Sequence, residues 1–213
     1  LDADQVPVTD PAAIFDWPEY REAGAVFWPD VIDLRADNPA WSLLGLAAQG
    51  TVSFESGQVL VDKRRHIEAL AATLALNERA ELFYRHLYGD KDTFLMGWRL
   101  AGAAHALVPH RPLVDERALF QRDFAGAPLF QHRTQSKWVY AGEQRRIAGF
   151  RHEDACLAAL AELRGQWNGR VFVPPARGSA ARSAERALVA AGRVRLEMHD
   201  EGVVELELRT HHE

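Results

Sequence analysis

The stretch Thr51-Val-Ser-Phe-Glu-Ser-Gly-Gln58, continued by Val59-Leu-Val-Asp62 and Lys63-Arg-Arg-His-Ile-Glu-Ala-Leu-Ala-Ala-Thr-Leu74, changes its apolar period part-way along. Thr51 to Phe54 reads as a strand ending at Glu55, so that Glu55-Ser-Gly-Gln58 falls at a strand-to-helix transition. Asp62 is a suitable N-cap, and beyond it Ile67, Leu70, Ala71 and Leu74 recur at i, i+3, i+4 and i+7. That spacing predicts an amphipathic helix with those four residues inward. The same mixture extends both ways. Upstream, Pro7, Pro11, Pro18, Pro29 and Pro39 punctuate a loop-rich segment, and Ala25-Val-Phe-Trp28 reads as a short buried strand stopped by Pro29. Downstream, Leu82 to Leu87 predicts a helix that stops at Gly89. Asp90-Lys-Asp-Thr93 caps a third helix with Phe94, Leu95 and Trp98 inward, and residues 105–140 alternate short extended pieces with turns.

The C-terminal third continues the pattern. His152 to Gly165 predicts a helix with Cys156, Leu157, Leu160 and Leu163 inward, Arg170 to Ser183 a linker, and Ser183 to Ala191 a short helix. Val194, Leu196 and Met198, then Val204, Leu206 and Leu208, alternate on either side of a turn at Asp200 to Gly202, as in a β-hairpin. Helices and strands intermix throughout, so the class is α/β or α+β, without an internal repeat.

Composition narrows the function. At 213 residues the chain is long enough to bury a core, and 47% hydrophobic with 26% charged content suits a folded protein. A net charge of −5 offers no basic stripe for a phosphate backbone, which argues against a nucleic-acid partner. No apolar run reaches the roughly 18 residues of a membrane span. One cysteine, Cys156, excludes a disulfide framework within the chain and a cysteine-based zinc site; it reads as a small buried hydrophobe.

Four clusters carry chemistry. Asp2 and Asp4 are two residues apart, and in an extended segment their carboxylates share one side, where they can bind a hard divalent ion. His132, in Phe130-Gln-His-Arg-Thr-Gln-Ser-Lys-Trp138, can complete such a site, while Lys137 places a cation suited to a diphosphate, with Gln131, Arg133 and Ser136 as further hydrogen-bonding groups. Gly89-Asp-Lys-Asp92 sets carboxylates at a glycine turn, whose backbone permits close approach of a sugar. Glu55, Ser56, Gly57 and Gln58 gather the polar groups that bind sugar hydroxyls. Each cluster alone also fits a solvated loop or a helix cap; their combination and order are what point to a site.

Phe54-Glu-Ser-Gly-Gln-Val-Leu-Val-Asp-Lys-Arg-Arg-His66, with Leu76-Asn77 and Gly89-Asp-Lys-Asp-Thr-Phe94, resembles the fungal α-mannosyltransferase family that extends N- and O-linked mannan, and its bacterial relatives. The resemblance covers about residues 1–140 and implies an α/β chain, the C-terminal part of a GT-A (Rossmann-like) fold, with residues 1–150 as its metal- and acceptor-side part. Residues 151–213 would then form a helical and β-hairpin extension. It further implies Mn2+ (or Mg2+) held by Asp2, Asp4 and His132, and a nucleotide-sugar donor such as GDP-mannose. Lys137 would lie on the diphosphate, Asp90 and Asp92 would be the catalytic carboxylates, and Glu55, Ser56, Gly57, Gln58 and Gly89 would contact sugar or glycan acceptor.

His132 to Trp138 is also similar to the His-x4-Lys-Pro-Trp element of glycogenin-like transferases, although no proline separates Lys137 from Trp138 here. The chain opens Leu1-Asp-Ala-Asp4 without a methionine, so the nucleotide-binding βαβ part of such a fold is expected upstream. The expected activity is metal-dependent hexosyl transfer, of mannose by resemblance, with retention of configuration. A non-catalytic carbohydrate-binding remnant and a metal-dependent phosphoester hydrolase are the alternatives. A cytoplasmic location follows for a bacterial chain and the Golgi lumen for a fungal one.

Overall fold

The structure is a computed structural model that describes residues 1–115, 117–139 and 142–166, together with the backbone of the two strands 194–198 and 204–208. The predicted linker over 170–183, the short helix over 183–191 and the turn at 200–202 lie outside the described residues. Strands and helices alternate in a mixed α/β arrangement, with the short helices α1 (Pro18–Ala23) and α2 (Ala40–Leu43) near the start, as the period changes lead one to expect.

Two sheets stack. The first has the order β3 (Thr51–Val61), β2 (Ala25–Leu34), β4 (Ala106–Leu107), with β2–β3 antiparallel and β2–β4 parallel. The second runs β1 (Gln5–Pro7), β7 (Pro128–Arg133), β6 (Ala118–Arg122), β5 (Leu113–Val114), all antiparallel. One face of the three-stranded sheet, with Phe27 stacked on Phe54 at 4.2 Å, packs against α3 (Ile67–Glu78) and α5 (Lys91–Ala101) through Leu76, Leu95, Met96 and Trp98. Its other face meets the four-stranded sheet, where Trp28 packs edge-on to Phe130 at 5.5 Å. Strand alternation then assigns β7 two faces. Phe130 and His132 turn toward the three-stranded sheet. Gln131 and Arg133 turn away, toward Ile147, Phe150 and the start of α6 (Glu153–Gln166).

Several expectations are corrected. Pro29 does not stop β2, which runs on to Leu34; β4 pairs only with Val26 and Phe27, so Pro29 faces a neighbour on one side alone, where a missing N–H is tolerated. Glu55-Ser-Gly-Gln58 does not end β3 but lies inside it. Between the pairs Val26↔Leu60 and Trp28↔Glu55, Ser56 to Val59 on β3 stand opposite Phe27 alone, a wide bulge. The helix expected from Asp62 begins at Ile67, and Asp62 instead accepts Arg64 N–H at 2.9 Å in the preceding turn. Ile67 is 43% and Leu74 39% exposed and Leu70 is half-buried; of the four predicted residues only Ala71 is buried, together with Ala69, Ala72, Thr73, Ala75 and Leu76. The expected helix over 82–87 is shorter, a single turn α4 (Ala80–Phe83). Cys156 and Leu157 are half-buried and Leu163 is exposed, so α6 covers the molecule with less than its predicted face. The predicted hairpin is present, with β8 (Val194–Met198) and β9 (Val204–Leu208) antiparallel in the register Leu196↔Leu206.

The small inner face of α3 exists because α5 comes very close. A Cβ placed on Gly97 would lie 2.8 Å from the backbone N of Thr73 and 2.9 Å from the Ala69 carbonyl oxygen, and closer still to Thr73 Oγ1. In an exposed helix Gly→Ala gains about 1 kcal/mol. Here the sign reverses: Gly97→Ala is expected to destabilise the fold by about 1–3 kcal/mol through overpacking. Urea unfolding of the two proteins checks this, and an increase in stability would refute the close packing of α3 on α5.

Candidate metal centre

The Asp2–Asp4 pair sits in a turn before β1 rather than in an extended strand, a correction to the expected geometry. Gln5 N–H closes that turn on the Asp2 carbonyl at 3.1 Å, and Asp2 N–H donates to the Gly57 carbonyl in the β3 bulge at 2.9 Å. Gln5 pairs with His132 in the β1–β7 ladder, so the turn is delivered to the His132 end of β7. There His132 Nε2 lies 3.3 Å from Asp4 Oδ1 and 4.0 Å from Asp2 Oδ2. One potential ligand atom from each residue falls within 4.8 Å of the others. Asp4 and His132 are buried and Asp2 is exposed, which leaves one open side.

His132 Nδ1 lies 3.3 Å from Glu55 Oε1, and the same oxygen accepts Gly57 N–H at 3.0 Å. Burial opposes charge on both groups, but the neighbours prevail. His132 and the Gly57 N–H hold Glu55 below the ordinary glutamate range. Glu55 and then Asp4 hold His132 above the ordinary histidine value, against the pull of Lys137. Lys137 reaches back to the cluster, its ammonium in contact with Asp4 Oδ2 and 3.3 Å from His132 Nε2.

These residues suit a hard divalent cation. Two carboxylates and an imidazole form a mixed oxygen–nitrogen donor set, and metal–oxygen bonds of about 2.1 Å place adjacent octahedral ligands about 3 Å apart, near the 3.3 Å between His132 and Asp4. A proton on Nδ1, which faces Glu55 Oε1 at 3.3 Å, would leave the Nε2 lone pair of a neutral ring toward the carboxylates, an arrangement that suits a cation among them. Lys137 supplies that positive charge in the structure described.

The remaining candidates are distributed as follows. Glu55 and Gln58 are buried, Gln58 accepting from the Gln5 amide, whose nitrogen also reaches Gln121 Oε1 at 3.1 Å; Ser56 is half-buried. Gly89 has φ +67°, a conformation that favours glycine. Asp90 is exposed at the start of α5. Asp92 is buried and turns back to accept Tyr88 N–H at 2.8 Å, so it braces the Gly89 turn. Sequence reasoning missed Lys91. Its ammonium contacts the buried Asp30 and lies 4.3 Å over the Tyr88 ring, and its charge reaches Glu55. It also took Arg133 for a ligand group. Arg133 is fully buried instead, bonded to Glu153 at 2.9 Å and to the Ser136 and Arg145 carbonyls at 2.5 Å each, with its guanidinium 3.8 Å over the Trp138 ring. This clamp holds the segment that carries Lys137 and ties β7 to α6 across the expected boundary at 150/151. Nothing in the local pattern marks it, because its partners are spread over the irregular segment after β7 and the start of α6.

A family model described as "Mannosyltransferase putative" matches residues 1–45 and 46–117, more than half of the chain. The chain belongs to this mannosyltransferase family. The match takes in Asp2, Asp4, the β3 bulge and the Gly89-Asp-Lys-Asp92 segment, while His132 and Lys137 lie beyond it. The chain is also 28% identical over 138 residues to Alpha-1,2-mannosyltransferase MNN22 of Candida albicans, in an alignment covering 44% of this chain and 23% of that protein. The chain thus spans about a quarter of the length of that relative. For the mannosyltransferase-family chain, the cluster around His132 is therefore built from both matched and unmatched sequence. Among the described residues no helix is long and apolar enough to cross a membrane.

Proposed function

We propose that the chain is the metal- and acceptor-side part of a GT-A glycosyltransferase that transfers a hexose, mannose, from a nucleotide-sugar donor such as GDP-mannose to a glycan acceptor with retention. The observation that carries this reading is the convergence of Asp2, Asp4 and His132 with the Lys137 ammonium in a chain of a mannosyltransferase family. Asp2, Asp4 and His132 would hold Mn2+ or Mg2+, which when bound supplies Lewis-acid neutralisation of a diphosphate. Lys137, the one of these groups that is both cationic and exposed, is placed to follow the departing phosphate oxygens and to stabilise their growing charge.

In the transfer the bond from the anomeric carbon to the donor diphosphate oxygen breaks. A bond from the acceptor oxygen to that carbon forms on the leaving-group face, and the acceptor hydroxyl proton passes to the departing diphosphate oxygen. Asp90, exposed beside the open Gly89 turn, is the carboxylate we place against the sugar, where negative charge favours an oxocarbenium-like centre. Asp92 supports it by fixing the turn through Tyr88 N–H. Ser56 and Gly89, half-buried where Glu55, Gly57 and Gln58 are buried, are the remaining groups of the two motifs open to sugar hydroxyls.

Lys137→Ala tests the diphosphate role. It is expected to weaken binding of GDP with Mn2+ about tenfold or more while Mn2+ alone binds as well as before or more tightly, because a competing cation has left the carboxylates. Calorimetric titration of both ligands checks this. Equal loss for both would refute the phosphate role. Absence of any GDP binding by the wild-type chain would favour the carbohydrate-binding remnant instead, and phosphoester cleavage without an acceptor would favour the hydrolase.

A further inference from the structure

We infer that the Glu55-Ser-Gly-Gln58 bulge of β3 is the scaffold that positions the metal-binding side chains, with Glu55 and Gly57 as positioning residues for His132. The inference rests on the metal-site reading above. Its starting point is the register. Four residues of β3, Ser56 to Val59, stand opposite one residue of β2, so the chain swells out of the ladder beside the His132 end of β7. A polar, glycine-containing stretch inside a buried strand weakens that strand unless the bulge re-aims something.

What it aims is visible from three sides. Glu55 Oε1 faces His132 Nδ1 at 3.3 Å and is itself pinned by Gly57 N–H at 3.0 Å, so its carboxylate cannot swing away without losing a backbone donor. Gly57 is where the imidazole needs room: a Cβ there would lie 2.7 Å from His132 Nδ1, 2.9 Å from its Cε1 and 3.1 Å from Gln5 Nε2. The Gly57 φ is not in the left-handed region, so close approach, not backbone freedom, is what a larger residue would violate. The Gly57 carbonyl then accepts Asp2 N–H at 2.9 Å, and Gln58 holds the Gln5 amide one residue beyond Asp4. One short bulge therefore holds both arms of the cluster, the Asp2–Asp4 turn through two contacts and His132 through two more.

A ligating histidine is commonly oriented by a carboxylate on its other nitrogen, which fixes the tautomer that leaves the ligating lone pair free. Glu55 stands in that position. Its burial and its partners leave the carboxylate serving the imidazole rather than a sugar hydroxyl.

The test uses the full chain. Glu55→Ala and Gly57→Ala are each expected to weaken Mn2+ binding, titrated with the metal alone, about 10- to 100-fold. Glu55→Gln, which keeps an acceptor for Nδ1–H, should recover most of that loss. In the metal-free chain, imidazole 15N shifts should show His132 with its proton on Nδ1, and Glu55→Ala should shift the tautomer balance toward Nε2. Wild-type Mn2+ affinity in folded Gly57→Ala and Glu55→Ala, or an unchanged His132 tautomer balance in Glu55→Ala, would overturn the inference. If His132→Ala left Mn2+ binding unchanged, the metal-site reading would fall instead, and the tautomer measurement would still decide whether the bulge positions the ring.

Discussion

Asp4→Ala is expected to lower the affinity of the chain for Mn2+ by more than about 100-fold, beyond what loss of an orienting residue costs. Asp4 is the carboxylate nearest His132 Nε2, and it is buried where Asp2 is exposed. Without it, one solvated carboxylate and one imidazole remain, too few to displace the water of a hard cation. The Asp2–Asp4 turn is closed by backbone groups, Gln5 N–H on the Asp2 carbonyl, so the fold should survive the change. Free Mn2+ measured by paramagnetic resonance during titration provides the check, with circular dichroism as the folding control. Wild-type affinity in the variant would remove the metal assignment. The neighbours hold His132 above its ordinary value, so protons compete with the metal at pH values where an isolated histidine would already be neutral. Affinity in the wild-type chain should therefore rise as the pH is raised past neutrality.

Arg133→Met should destabilise the chain by about 3–5 kcal/mol, the usual consequence of removing one member of a buried ion pair and leaving the other charge behind. In a protein of this size that corresponds to a fall of about 10 °C in the unfolding midpoint. The residue abandoned is Glu153, buried, which also accepts Ile147 N–H at 3.2 Å and lies 3.3 Å from Arg146. Two backbone carbonyls, those of Ser136 and Arg145, lose their donors as well. Adding Glu153→Gln should return part of the loss, since the stranded charge is then gone. Thermal unfolding of the wild type, both single variants and the double variant closes the cycle. Additive effects would mean that the pair is not coupled. Because Trp138 stacks on the same guanidinium, the change should also loosen the Lys137 segment and weaken GDP binding beyond what the unfolded fraction explains.

How much of this was legible in the sequence depends on whether the signal was local. The alternation of Val194, Leu196, Met198, Val204, Leu206 and Leu208 yields the hairpin because a strand pair separated by a short turn is a local object. The helix at Lys91–Ala101 is equally local, with its glycine turn before and Gly102, at φ +58°, after. The inner face of α3 is not. Its residues are apolar nearly all round, so periodicity cannot choose a side. The choice is made by Gly97 on α5, which comes against the backbone of Ala69 and Thr73 and so draws that side of α3 inward. The β3 bulge was hidden for a related reason. Glu-Ser-Gly-Gln has the composition of a turn, and only the long-range pairing with β2 shows that the strand continues through it. Within the site, Asp2, Asp4, His132 and Lys137 were legible as chemical types, and the structure brings all four together. The links from Glu55 to His132, Lys91 to Asp30 and Arg133 to Glu153 were not, since each joins residues that only the fold makes neighbours.

One strand serves two systems by turns, with His132 on the side of the carboxylates and Arg133 on the side of Glu153. The length of β7 is therefore constrained more tightly than its composition. Deleting a single residue ahead of His132 would reverse the outlook of every side chain that follows, sending an imidazole among Trp138 and Glu153 and a guanidinium among Asp2, Asp4 and Glu55. Gains or losses of two residues keep the parity and are the smaller injury. Descendants of this chain should vary in the letters of β7 far more readily than in their number.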